Sequence, residues 1–434
     1  MKHKLVPVAA ALLTALTSYN VAAESATDVL TDGWEIHGYG SMNYRMNDGQ
    51  SFDNEFGKGD YKTAGTFGKS SSQVEFVLKK HTEFANGVYS DFVVRAEYGN
   101  GDSFYYTSSG AEKKNTVAQF EIKESFVLLG NLPYLPADSE IWAGRRFLNR
   151  SASGMSGEFW KQSSGTGLGF ETKFDDGQRG GIALVSADPE AGAVDRPADG
   201  DRTTVSSLDF YYYGVKGLGG SFDFDMKLMH RANQDPVVGS DPAEDGIGAS
   251  ITYNRDYYGF NGFSQTALAY GKGLASNRGV NFGGWSTLED SGESLFFSTY
   301  GVATFNSNWQ MGSEITWFQA LDTLFGAKDL QRGLIAVRPS YKVNDNFRWE
   351  FTASYGYENG EEGYWGRTGD AVESQILNGE VAAVFTVNAD YFGRPQIKPY
   401  VSHIIADDAA SAKHIGIKDG DNETIFGVHA EIWF

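Results

Sequence analysis

The stretch Glu423-Thr-Ile-Phe-Gly-Val-His-Ala-Glu-Ile-Trp-Phe434 alternates with period two up to its aromatic end. In an extended strand, successive side chains point to opposite sides. One side here carries Thr424, Phe426, Val428, Ala430, Ile432 and Phe434; the other carries Glu423, Ile425, Gly427, His429, Glu431 and Trp433. An apolar face backing onto a face with His and Glu fits a barrel wall between lipid and water. A C-terminal carboxylate directly after such a strand suits a barrel closure better than a soluble core.

The same alternation recurs along the chain. Candidate strands begin near Trp34, Gln73, Tyr89, Ala118, Glu140, Gly165, Gly181, Ser206 and Gly220. Others begin near Ile247, Gly262, Ser294, Asn308, Leu334, Phe347, Gln375, Arg394 and Glu423. About eighteen strands, an even number, would leave both termini on one side of a membrane, as bacterial single-chain barrels require. The connections are short in some places and long in others, the longer being Asn100–Thr116, Ala187–Thr204 and Asn277–Glu293. Short turns alternating with long loops is the outer-membrane pattern. No linker or shift in composition divides the chain. The expected fold is all-β, an eighteen-stranded antiparallel transmembrane β-barrel in one domain.

Individual registers support a wet interior. Phe347, Trp349, Phe351, Ala353 and Tyr355 share one face, against Arg348, Glu350, Thr352 and Ser354 on the other. In the first strand Ile36, Met42, Tyr44 and Met46 oppose Glu35, His37, Tyr39, Ser41, Asn43 and Arg45. Near the end, Pro395, Ile397, Pro399 and Val401 oppose Phe392, Arg394, Gln396, Lys398, Tyr400 and Ser402. A soluble sandwich also alternates, but these polar faces carry Arg, Lys and Glu, and a barrel of this size encloses water. Tyr39, Phe392 and Trp433 fall in the polar register beside charged neighbours. An aromatic track in a wet pore can stack on the apolar faces of sugar rings, while flanking charged groups replace the hydration of the hydroxyls.

Residues 1–23 read as a signal peptide: Lys2 and Lys4, an apolar run from Leu5 to Leu16, then Val21-Ala22-Ala23. That run is shorter than the about 20 residues a membrane helix needs. Residues 24–434 are then the barrel domain. The formal net charge of −20 argues against nucleic acid as a partner. With no cysteine, disulfides and thiolate metal sites or nucleophiles are excluded.

Several short stretches, in this order and spacing, resemble the maltoporins, the sugar-specific porins of the Gram-negative outer membrane. They are His37-Gly-Tyr-Gly40, Ile141-Trp-Ala-Gly-Arg-Arg-Phe147 with Arg150, Glu158-Phe-Trp160 and Gly165-Thr-Gly-Leu-Gly169. Val337-Arg-Pro-Ser-Tyr-Lys342, Gly393-Arg-Pro395 and Ala430-Glu-Ile-Trp-Phe434 complete the set. The resemblance implies an outer-membrane homotrimer whose inward-folded third loop, roughly Asn149 to Ser164 here, forms a constriction. It also implies passive passage of maltose, maltodextrins or related oligosaccharides, with no cofactor. Tyr39, Phe392 and Trp433 match the family's aromatic "greasy slide". Phe159 matches the constriction aromatic, where the family typically has tyrosine. Lys123 and Arg150 match basic residues of its polar track, to which Arg394 is added from the register of Phe392.

The chain also departs from that pattern. A track arginine is replaced by Ser41, two third-loop acids fall at Ala152 and Gly157, and a slide phenylalanine is replaced by Ala249. Glu158 adjoins a lost acid and is a candidate substitute at the constriction. For the second-loop aromatic that reaches into a neighbouring subunit, Phe104, Tyr105 or Tyr106 are candidates. These departures bear on which sugar passes, and leave open an aryl-β-glucoside or sucrose porin, or a general diffusion porin. An outer-membrane hydrolase is the remaining class. The histidines at 37, 81, 230, 403, 414 and 429 are scattered, with no Ser-His-acid spacing. Glu35/His37 and His429/Glu431 meet near the barrel closure, where a polar pore lining explains them. No defined metal site is legible.

Overall fold

The structure, a computed structural model, describes residues 29–47, 49–51, 63–69, 72–99, 119–174, 176–187, 204–232, 243–282, 290–322, 324, 330–360, 372–407, 417 and 420–434. The strands are β1 (Val29–Asn47), β2 (Gln50–Ser51), β3 (Ser72–Phe84), β4 (Tyr89–Gly99), β5 (Gln119–Gly130), β6 (Ser139–Ala152) and β7 (Phe159–Lys173). Next come β8 (Arg179–Ala187), β9 (Thr204–Gly217), β10 (Gly220–Ala232), β11 (Asp245–Tyr257), β12 (Phe260–Gly273) and β13 (Glu293–Thr304). The last are β14 (Trp309–Ala320), β15 (Gln331–Asn344), β16 (Phe347–Gly360), β17 (Val372–Thr386), β18 (Gln396–Ala406) and β19 (Asn422–Trp433). The two-residue β2 is an appendage of β1; the other strands are the eighteen expected.

Each barrel strand pairs antiparallel with its neighbour in sequence. β1 closes the ring, bonding β3 on one edge and β19, from Tyr39–Trp433 to Met46–Phe426, on the other. Closure leaves no free sheet edge inside lipid. Among the described residues no helix is long and apolar enough to cross a membrane.

Burial follows the expected registers. Trp349, Phe351, Ala353 and Tyr355 are exposed on the outer wall, while Arg348, Glu350, Thr352 and Ser354 are buried inside. In β19, Phe426, Val428, Ile432 and Phe434 face out, and Ile425, His429 and Glu431 face in. Beside the short turns, outward aromatics pair: Trp309 with Tyr341 at 4.8 Å, Phe347 with Phe385 at 5.2 Å, Phe260 with Phe305 at 5.4 Å. These rings form one aromatic girdle of the wall.

Among the described residues, three segments fold inward from the long-loop end. Residues 63–69, with a single 3₁₀ turn at Thr66–Gly68, bury Phe67 among Ile376, Tyr400, Ile404 and Ile425. Thr66 donates its backbone N–H (2.7 Å) and hydroxyl (2.5 Å) to Glu380. Residues 274–282 lie along the β6–β7 hairpin, where Phe282 N–H donates to the Gln162 carbonyl at 3.0 Å. The hairpin itself is the third inward element. β6 leaves β5 after the Ser125–Arg145 pair but stays with β7 as far as Ala152–Phe159.

Two of the boundaries that differ from the sequence reading bear on the lumen. The third loop was expected over Asn149 to Ser164, yet strand pairing continues to Ala152 and resumes at Phe159. Its flanks are a ribbon bent off the wall, so the polar run Lys161-Gln-Ser-Ser164 is buried inside the barrel and does not read as amphipathic. The seventeenth barrel strand was expected from Arg394 and starts at Gln396. Pro395 has no N–H to donate to the ladder. Residues 1–23, Asn100–Thr116 with Phe104, Tyr105 and Tyr106, and most of Ala187–Thr204 lie outside the described residues.

Candidate functional site

The closure seam brings two of the expected aromatics together. Tyr39 and Trp433 are register partners across β1 and β19. Trp433 remains 47% exposed on the inner side, so its ring is available to a passing solute. Below them Glu431 is buried and collects three donors. The Tyr39 hydroxyl donates to Oε1 at 3.2 Å, and Arg394 Nε and Gln396 Nε2 donate to Oε2 at 2.5 and 2.9 Å. The Arg394 guanidinium thereby lies 4.8 Å from the Trp433 ring centroid. Carboxylate, guanidinium and indole hold each other in place.

Phe392 is in the lumen for a different reason from the one its alternation suggested. It belongs to the turn between β17 and β18, which folds over the barrel mouth. There Tyr391 N–H donates to Gln310 Oε1 at 2.7 Å and Gly393 N–H to the Asp390 carbonyl at 2.8 Å. Phe392 is 43% exposed, and its ring lies 6.0 Å from Phe263 and 5.0 Å from Tyr391.

Phe263 is an inner-wall aromatic that the sequence reading missed. Ala249 was read as replacing the family's slide phenylalanine, and it lies on the outer wall between outward Ile247 and Ile251. In β12, Leu268 and Tyr270 face out, so Phe263 shares the inner side with Gln265 and Ala267. That register was legible in the sequence.

At the bent hairpin, cations and aromatics alternate. Arg95 stands 5.6 Å from the Phe147 ring; Arg150 stands 4.7 Å from Phe147 and 3.8 Å from Phe159. Arg150 and Phe159 are both open to the lumen. Arg95 also pairs with Glu75 at 3.0 Å and Glu124 at 2.6 Å, and Gln73 links Glu75 (2.8 Å) with Glu97 (3.2 Å). A bulge in β5 puts Lys123 and Glu124 both on the inner side. Lys123 is buried there, so it is part of the wall and not of its open surface.

Glu158 does not stand in for the lost acids on the lumen surface. It is 1% exposed and ion-paired with Arg278 of the 274–282 segment. The pair ties two inward segments together. The hairpin tip is tied to the far wall as well: Glu314 accepts Met155 N–H at 2.6 Å, Ser156 N–H at 3.1 Å and Ser156 Oγ–H at 2.5 Å. On the wall between, Glu350 receives Arg348 at 2.8 Å and Lys398 at 2.6 Å.

The two His–acid pairs also resolve. Glu35 and His37 sit 3.4 Å apart and exposed. His429 Nε2 meets Ser41 Oγ at 2.9 Å, but both side chains are buried and the second ring nitrogen has no hydrogen-bond partner among the described residues. A nucleophile needs access and an oriented base, and this pair has neither. Among the described residues no group of three His, Asp or Glu side chains is placed to hold a metal.

Residues 34–434 match the family model described as LamB porin. The chain is 24% identical over 345 residues to the maltoporin of Vibrio cholerae serotype O1, covering 73% of this chain and 76% of that one. It is 25% identical over 332 residues to Maltoporin 1 of Klebsiella pneumoniae, covering 74% and 75%. The solved outer-membrane protein OpdK of Pseudomonas aeruginosa matches at TM-score 0.47 and 10% identity, over 93% and 99% of the two chains. The chain belongs to the LamB porin family, and its barrel is that of a Gram-negative outer-membrane protein.

Proposed function

We propose that this barrel passes oligosaccharides of the maltodextrin class by diffusion along Tyr39, Trp433, Phe392 and Phe263, with no chemical step. The observation that carries the reading is the Trp433–Arg394–Glu431–Tyr39 assembly. It presents an open aromatic face beside hydrogen-bonding groups that are already oriented, which suits a pyranose with apolar faces and polar edges. Stacking gives a moving sugar many equivalent positions, and the polar groups replace its water without holding it. Arg150, Phe159 and Arg95 narrow the path at the bent hairpin.

The working unit in this reading is a homotrimer in the outer membrane, and the chain reaches it after cleavage behind Ala23. The two maltoporins of similar sequence support the sugar class. The test is single-channel recording of purified protein with maltose, maltohexaose, sucrose, cellobiose and an aryl-β-glucoside. Reversible interruption of ion current by the maltodextrins is the expected result. Current indifferent to every sugar would make the barrel a general diffusion pore.

A further inference from the structure

We propose that Tyr300 is a sugar-selecting residue of this pore, supplying near the constriction the hydroxyl that position 159 lacks. The proposal deepens the sugar-channel reading and rests on it. Tyr300 lies on the inner register of β13, with Phe296, Ser298 and Val302. It sits where the aromatic track meets the inward hairpin. Its ring is 5.7 Å from Phe263 at 73°, and Phe263 in turn is 6.0 Å from Phe392. On its other side the ring lies flat against the hairpin tip: a Cβ at Gly154 would collide with Cε1, Cε2 and Cζ of Tyr300.

The ring is also packed against the buried cluster of Ala64, Met155, Leu334 and Ala336, so it has little freedom to swing. Its hydroxyl makes no hydrogen bond among the described residues, in contrast to Tyr213 and Tyr400 on the same inner wall. There the Tyr213 hydroxyl is taken by Asp225 and that of Tyr400 by Asn43. Tyr300 therefore offers a fixed, uncommitted phenol that can donate and accept.

The constriction aromatic is in the opposite condition. Phe159 has no hydroxyl, and the Arg150 guanidinium, 3.8 Å from its centroid, covers one face of the ring. Between Arg150 and the Phe263–Phe392 pair, Tyr300 offers a sugar an uncommitted hydroxyl. A pyranose stacked on Phe263 would lay its hydroxyl-bearing edge toward that phenol, whereas an apolar solute or a simple ion gains nothing from it. Selection is by edge hydrogen bonding on top of stacking.

The experiment is maltohexaose-induced current interruption in planar bilayers for wild type, Tyr300→Phe, and the double variant Phe159→Tyr/Tyr300→Phe. Tyr300→Phe keeps the ring packing against Gly154, so the open-channel conductance should not change. The sugar's dissociation rate should rise roughly three- to tenfold, the worth of one hydrogen bond. Recovery of slow dissociation in the double variant would show that a hydroxyl in this part of the pore is what matters. Wild-type blockade with an unaltered rate in Tyr300→Phe overturns the assignment alone. A matching rise in open conductance would make the effect steric and overturn it too. Absence of blockade in the wild type overturns the sugar-channel reading and this assignment with it.

Discussion

Glu431 holds Arg394 at 2.5 Å, and through it sets the guanidinium 4.8 Å from the ring of Trp433. The carboxylate is two residues from the indole on the same face of β19, so one strand supplies both the stacking surface and the anchor of its polar edge. Glu431→Gln keeps the side chain's size and removes its charge. Sugar affinity from current-noise titration should fall roughly tenfold, since a charge-assisted bond is lost while Trp433 stays in place. Unchanged affinity would show that Arg394 is positioned by something else.

The inward hairpin should loosen when its anchor on β14 is removed. Glu314 accepts both Met155 and Ser156 N–H groups and the Ser156 hydroxyl. Glu314→Ala leaves these donors without their acceptor and the tip without a tether. Open-channel recordings should become noisier, with a higher mean conductance, while the barrel still forms. A quiet channel of wild-type conductance would contradict this.

Glu158 and Arg278 are both buried, so Glu158→Ala takes from the Arg278 guanidinium the carboxylate that neutralises it inside the protein. Removing one partner of such a pair costs about 3–5 kcal/mol. Glu158→Ala should lower the temperature of heat unfolding in detergent, followed by gel mobility, more than the exposed Lys272→Ala does. The double variant Glu158→Ala/Arg278→Met should recover part of the loss.

Val428 lies in the middle of β19 on the lipid side, paired with Tyr44 of β1 and Pro399 of β18. An arginine there should destabilise the folded barrel by about 2–4 kcal/mol, as expected at the bilayer midplane. Folding titrations into lipid vesicles would read it. His429 is the adjacent residue on the lumen side, and His429→Gln should leave barrel stability within about 1 kcal/mol by sparing lipid contact.

Strand number, sidedness and the inward placement of Tyr39 and Trp433 were legible because a barrel wall between lipid and water imposes period two on every strand. The same logic placed Phe392 inside, though its cause is a folded-over turn and not a strand. What alternation could not reach lies in the inward segments. Glu158 was expected at the constriction surface and Lys161 carries no signal of its own, yet each is buried against a partner more than sixty positions away, Arg278 and Asp225 (64 positions on from Lys161) respectively. Thr66 meets Glu380 in the same way. Such pairings depend on where loops land inside the barrel, which local periodicity does not encode. Phe263 was within reach of the same alternation, since Leu268 and Tyr270 fix the outward register of β12.

The central claim is that an open indole at the closure seam is a sugar-stacking surface. The most direct measurement is maltohexaose titration of single-channel current for wild type and Trp433→Ala at equal ionic strength. The account predicts reversible blockade in the wild type, and roughly ten- to a hundredfold weaker binding in the variant at nearly unchanged conductance, the stacking of an aromatic ring being worth about 1–3 kcal/mol. Equal blockade of the two channels would contradict it.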